Sequence, residues 1–158
     1  ISFEKKLLGT AKTIIRNSYF CEDNDCLILH ADNYSEVNIA NFIKAHNSRP
    51  KKCVMSMLIF KTKDFSNTGI VSRNESDIIV DMHEKKNIRL GEYANGAIYI
   101  ITPQMLDEIN NKYSDAKDFS TDIIPNFYGR IYSYHTSNFF IDIGNLKNLK
   151  IANNYLQR

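Results

Sequence analysis

The run Cys26-Leu27-Ile28-Leu29-His30-Ala31-Asp32 constrains this chain most, because it is a short apolar stretch that stops on a carboxylate. An apolar run between polar flanks reads as a strand buried on both faces, as in the sheets of α/β proteins. Asp32 then falls at the carboxyl end of that strand, where open α/β sheets bind ligands. A second run of the same shape, Phe139-Phe140-Ile141-Asp142-Ile143-Gly144, sets another Asp among apolar neighbours. Each Asp taken singly also reads as a helix N-cap or a turn former. As a pair they are able to converge on one divalent cation.

The remaining segments extend the same pattern. Gly9-Thr10 opens a short helix with Thr10 as its N-cap, and the apolar positions of 39–45 fit an amphipathic helix. Cys53 to Phe60 reads as a buried strand. Residues 70–72 and 77–82, joined by the polar turn Arg73-Asn74-Glu75-Ser76, read as a β-hairpin that runs into His83-Glu84-Lys85-Lys86. A strand over 95–101 ends at Thr102-Pro103, where Thr102 caps a helix and Pro103 takes its first position. Ser120 is expected to cap a short helix, Ile131–His135 and Phe139–Ile143 to form paired strands, and Asn145 to cap a terminal helix. Strands alternating with helices predict an α/β fold, a mostly parallel Rossmann-like sheet with the hairpin as an excursion.

Composition excludes several classes. The 158 residues are 43% hydrophobic and 24% charged, enough for one globular domain, and 20 Lys plus Arg against 18 Asp plus Glu leave no field for nucleic acid or an anionic membrane. No segment approaches the roughly 20 apolar residues of a membrane span, and no signal-peptide pattern is present, so a cytoplasmic location is expected. Cys21, Cys26 and Cys53 form no CxxC pair and signal neither a disulfide framework nor a zinc site; Cys26 and Cys53 read as small core residues. The chain opens at Ile1 in what looks like the tail of a strand, which reads as a fragment.

The order of these pieces resembles the sugar-phosphate nucleotidyltransferases, the NDP-sugar pyrophosphorylases. Leu8-Gly9-Thr10-Ala11 is similar to the family's LGTA loop, and Ala31-Asp32-Asn33 to its GD motif. Thr68-Gly69-Ile70-Val71 stands where the family has Tyr-Gly-Val-Val, and Glu84-Lys85 where it has Glu-Lys-Pro. Asn95-Gly96-Ala97-Ile98-Tyr99 resembles Asn-Ala-Gly-Ile-Tyr, and Phe140-Ile141-Asp142-Ile143-Gly144 the closing Asp-x-Gly motif. The match spans essentially the whole chain, 1–158, as the carboxyl-terminal part of one nucleotidyltransferase domain.

The resemblance implies that a sugar 1-phosphate attacks the α-phosphorus of a nucleoside triphosphate and expels pyrophosphate. Two polyanions must then meet, and Mg²⁺ held by Asp32 and Asp142 offsets their repulsion. It also implies that Lys85 pairs with the sugar phosphate and that Glu84 and Asn95 meet sugar hydroxyls. Gly9 and Thr10 would lie against the nucleotide, and Gly69 and Gly96 would let backbone approach the sugar. Catalysis of this kind is positioning and electrostatics, with no covalent nucleophile. The Phe-Ile-Asp-Ile-Gly form of the last motif leans toward guanylyltransferases acting on mannose or heptose 1-phosphate, for polysaccharide biosynthesis. A homo-oligomer is left open.

The sequence departs from the family pattern in places. Nothing here resembles its Gly-rich G-x-G-T-R loop, so the initial βαβ part is expected to be missing and the fragment alone to be inactive. Lys12 follows the LGTA-like stretch in place of a small residue, Thr68 replaces an aromatic, and Lys86 replaces Pro. The competing reading is a non-catalytic regulatory or scaffold subunit that keeps a sugar-phosphate pocket, against which stand both aspartates. His30 and His135, beside the Asp motifs, read as structural, His46 and His83 as surface residues, and Tyr34 as lining the cleft.

Overall fold

The computed structural model describes residues 2–63, 68–84 and 91–157; Lys85 and Lys86, with the side chain of Glu84, lie outside this set. In chain order the elements are α1 (Thr10–Arg16), β1 (Cys26–Leu29), β2 (Asn33–Ser35), α2 (Ile39–Asn47), β3 (Met55–Lys61), β4 (Gly69–Arg73) and β5 (Ile78–Glu84). They continue as β6 (Tyr93–Ile101), α3 (Pro103–Lys112), β7 (Ile131–Thr136), β8 (Phe140–Asp142) and α4 (Leu146–Leu156). The fold is α/β, as expected, but the sheet is mixed rather than mostly parallel in its pairings. The main sheet has the order β1-β6-β3-β7-β5-β4, with β3 and β7 parallel and the other pairings antiparallel. Traced through these pairings, β1, β3, β4 and β7 run one way and β5 and β6 the other.

The core explains this order. β3 is buried along Met55–Ile59, and its alternate residues serve two layers. Met55, Met57 and Ile59 face a large cluster with Ala11, Tyr99, Met105, Phe119 and Phe127, while Leu58 packs with Phe42 of α2, Ile98 and Ile100. Helices therefore cover both faces at the centre of the sheet.

Four expectations are corrected. β1 is not buried on both faces: Cys26 and Ile28 pack on the core, but Leu27 and Leu29 are 36% and 52% exposed on a strand at the sheet edge. A short apolar run does not by itself distinguish one covered face from two. The hairpin β4–β5 is no excursion but continues the sheet, and β4 also meets β6 through Ile70 and Ala94. β7 and β8 do not pair with each other; β8 joins β2 in a separate two-stranded sheet. Cys21 is disulfide-bonded to Cys26 rather than both being free, whereas Cys53 is a buried free thiol as anticipated.

The caps divide similarly. Thr102 accepts from Met105 N with Pro103 opening α3, and Asn145 accepts from Asn148 N at the start of α4. Thr10, by contrast, is the first residue of α1, and the cap position belongs to Gly9 at φ 88°. The freed Thr10 hydroxyl accepts Phe119 N–H at 2.8 Å, and Ala11 N–H reaches Lys117 O at 3.0 Å, which pins α1 to the 117–119 segment. Asp118, not Ser120, caps the turn that follows, accepting from Ser120 N and Thr121 N. No helix among the described residues is long and apolar enough to cross a membrane.

Candidate active site

After β1 the chain turns sharply. His30 N–H donates to Ala97 O at 3.4 Å and Asn33 N–H to His30 O at 3.3 Å, which swings Asp32 out at the carboxyl end of the strand. Asn33 then anchors sideways, its Nδ2 donating to Gly96 O at 3.1 Å. The small β2–β8 sheet pairs Asn33 with Asp142, Tyr34 with Ile141 and Ser35 with Phe140. Ile143 N–H donates to Asp32 O at 2.7 Å, and Gly144 N–H to Asp142 Oδ1 at 2.7 Å. A Cβ added at Gly144 would sit 2.9 Å from Asp142 Oδ1 and 3.4 Å from Asp32 Oδ2. The two carboxylates thus border one small space that exists because residue 144 has no side chain.

Asp142 also lines a cavity of about 650 Å³ together with Phe60, Lys61, Thr62, Lys63, Thr68, Phe140, Ile141, Asn145, Lys147 and Asn148. The volume lies within the usual range for small-molecule sites. Phe60 and Phe140 stack at 4.4 Å in its wall, and Gly96 lies beneath them, where a Cβ would be 2.7 Å from Leu58 Cδ2 and 3.5 Å from Phe140 Cε2. Gly69 begins β4 opposite Glu84 in register, next to the lining residue Thr68. Asn95 is engaged within its own strand: Nδ2 donates to Tyr99 Oη at 2.8 Å and Oδ1 accepts Ala97 N–H at 2.9 Å. Ala97 holds φ 50°, a left-handed conformation that costs a non-glycine residue energy.

Gly9 and Thr10 are placed apart from this cavity, in a second groove of about 410 Å³ shared with Ile28, Leu29 and His30. That groove runs along the strand leading to Asp32. The structure therefore brings Asp32 and Asp142 to one space, sets Gly96 against Phe140 of the cavity wall and Gly69 next to the lining residue Thr68, and puts Gly9–Thr10 in a separate groove along β1. Lys85 and the Glu84 side chain, both expected at the sugar, lie outside the described residues.

The histidines sort by surroundings. His46 is buried, not a surface residue: Nδ1 meets Ser56 Oγ at 2.8 Å and Nε2 faces Asp25 Oδ2 at 3.2 Å. Burial, reinforced by the Arg49 charge and opposed by Asp25, holds its pKa below the ordinary value. His83 is half-buried beside Asp81, at 3.1 Å. His135 packs edge-on against Tyr93 at 5.1 Å, and burial with the charges of Arg73 and Lys61 lowers its pKa. Tyr34 lies against Phe139 with ring centroids 5.9 Å apart.

Two features escaped the sequence reading. Lys61, Lys63 and Lys147 share the cavity wall, although in sequence they are scattered charges. Asp25 belongs to an Asp23-Asn24-Asp25 triplet, a spacing used by metal sites elsewhere, but here Asp25 faces His46. Among the described residues no group of three or more His, Cys, Asp or Glu is arranged to hold a metal ion.

Comparison with known proteins agrees with this architecture. The curated relatives include glucose-1-phosphate adenylyltransferases from Mycoplasma mobile, 24% identical, and Clostridium acetobutylicum, 26% identical. Each alignment covers 92% of this chain and 41% of the relative, so the chain spans about two fifths of the length of those relatives. Among solved structures, a protein assigned as a glucose-1-phosphate thymidylyltransferase from Bacillus anthracis superposes with a TM-score of 0.82 at 19% identity, over 96% of this chain and 62% of that one. HddC from Yersinia pseudotuberculosis, complexed with GMP-PN, gives 0.79 at 21% identity, over 97% and 64%. These structures share the fold of this chain. The Nucleotidyl transferase family profile matches residues 1–158, and the chain belongs to the nucleotidyl transferase family.

Proposed function

We propose that the protein carrying this chain transfers a nucleotidyl group from a nucleoside triphosphate to a sugar 1-phosphate. A phosphate oxygen of the sugar phosphate bonds to the α-phosphorus, the bond from that phosphorus to the bridging oxygen breaks, and pyrophosphate leaves. The observation that carries this reading is the convergence of Asp32 and Asp142 on the space beside Gly144. Two oxygen donors suit Mg²⁺, which keeps several waters and needs few protein ligands. When bound there, it would supply charge stabilisation to the phosphates. Asp32 and Asp142 hold it, the cavity beyond Asp142 takes the sugar, and the Gly9–Thr10 groove faces the nucleotide. Lys85 is assigned to the sugar phosphate on its sequence position alone. Because no segment here resembles the Gly-rich triphosphate loop, these residues by themselves are expected not to turn over.

The names of the curated relatives make ATP with glucose 1-phosphate the first pair to try; the form of the last motif makes GTP with mannose or heptose 1-phosphate the second. The test is pyrophosphate release by the longer protein against Mg²⁺ concentration. Asp32→Asn and Asp142→Asn should each lower kcat on the order of 100-fold or more without changing the melting temperature. Full activity in both variants would overturn the assignment. Lys85→Ala should raise the KM for sugar phosphate far more than for nucleotide.

A further inference from the structure

We infer that the cavity beside Asp142 selects a sugar phosphate whose sugar carries a second anionic group, a carboxylate or a further phosphate, and that Lys63 and Lys147 recognise it. This rests on the proposed sugar-phosphate reading and names the acceptor class within it. A neutral hexose offers hydroxyls, each both donor and acceptor, and is best met by mixed carboxylate and amide partners. The cavity lining includes groups able to meet hydroxyls, Thr62, Thr68, Asn145 and Asn148, but adds an excess of cations. It carries Lys61, Lys63 and Lys147 against the single acid Asp142, which the proposed reading already commits to the metal. Lysine ammonium groups only donate.

The three lysines are not equivalent. Lys61 lies 3.6 Å from Glu92, so its charge is answered locally. Neither Lys63 nor Lys147 forms an ion pair among the described residues, and they approach the cavity from separate parts of the chain, the residues just after β3 and the first turn of α4. Phe60 and Phe140 give the same cavity an aromatic wall. An aromatic surface under a cationic rim fits a ring with apolar C–H faces and an acidic substituent at its edge. Charge-assisted contacts from two lysines to one acidic group are stronger than the neutral hydrogen bonds a hydroxyl would make in its place.

The experiment is direct binding without nucleotide or divalent metal, by NMR titration of the ¹⁵N-labelled longer protein, repeated by calorimetry. Glucose 1-phosphate, glucuronic acid 1-phosphate and glucose 1,6-bisphosphate are the probes. At least one of the two acidic probes should bind about tenfold more tightly than glucose 1-phosphate and shift the amides of residues 61–63 and 145–148. The double variant Lys63→Gln/Lys147→Gln should lose that preference while keeping its amide spectrum elsewhere, and Lys63→Arg/Lys147→Arg should retain it. Whichever acidic probe binds tighter identifies the substituent. Equal affinity for all three probes, no binding of any, or an equal loss for all three in the glutamine variant would overturn the inference, the last by assigning the lysines to the 1-phosphate. Turnover of glucose 1-phosphate by the longer protein with no acidic preference would sink this inference alone and leave the nucleotidyl-transfer reading standing.

Discussion

Gly96→Ala tests how the sheet supports the site. An added Cβ would stand 2.7 Å from Leu58 Cδ2 and 3.0 Å from Leu58 O. The methyl group can rotate aside, but the carbonyl belongs to β3 at the point where its register with β6 shifts, and Leu58 is fully buried. Overpacking of this kind costs about 1–3 kcal/mol, offset by roughly 0.4–1 kcal/mol from the stiffer unfolded chain. The net expectation is a loss of about 1–2 kcal/mol, or roughly 2–8 °C in melting temperature for a chain of this size. The neighbouring change should do the opposite. Ala97→Gly releases a left-handed residue worth about 1–2 kcal/mol and gives back roughly 0.4–1 kcal/mol in the unfolded state, a net gain of about 0.5–1 kcal/mol. Urea unfolding of both variants measures the pair. Gly96→Ala at wild-type stability, or Ala97→Gly less stable than wild type, would refute the packing argument.

Other changes read separate parts of the structure. Gly144→Ala should leave folding intact, since the atoms nearest its Cβ belong to the two carboxylates, yet reduce Mg²⁺ affinity measured by calorimetry; unchanged affinity would move the metal away from that space. His46 has a folded-state pKa below its ordinary 6.5, so the unfolded chain binds the extra proton first. Its stabilising effect is complete above that value and is lost as pH falls toward the folded-state pKa. His46→Gln should therefore flatten the stability profile between pH 7 and 5, with a residual slope of the same sign from His135. Thr10→Val removes the acceptor for Phe119 N–H and should cost about 1 kcal/mol in urea unfolding, with Thr10→Ser near wild type.

Local chemistry was legible in the sequence, and long-range pairing was not. Thr102-Pro103 and Asn145 announce their helices because capping depends on residues within one turn. The hairpin β4–β5 follows from two β-rich runs about a polar turn. Thr10 misled because its hydroxyl found Phe119, far away in sequence. β2 went unseen, since Asn33-Tyr34-Ser35 has no apolar alternation and becomes a strand only by pairing with β8. The burial of His46 depends on Ser56 and Asp25 from other elements, so its polar type alone suggested the surface. The apolar settings of Asp32 and Asp142 mark them in the sequence, whereas Lys61, Lys63 and Lys147 have no local signature and acquire meaning only where the end of β3, the residues after it and α4 line one cavity.

The most direct test of the metal assignment is diffraction from crystals soaked in Mn²⁺, recorded at the manganese absorption edge. One anomalous peak about 2 Å from a carboxylate oxygen of both Asp32 and Asp142, beside Gly144, is the predicted result. A peak touching only one of them, or none there at saturating Mn²⁺, would contradict it.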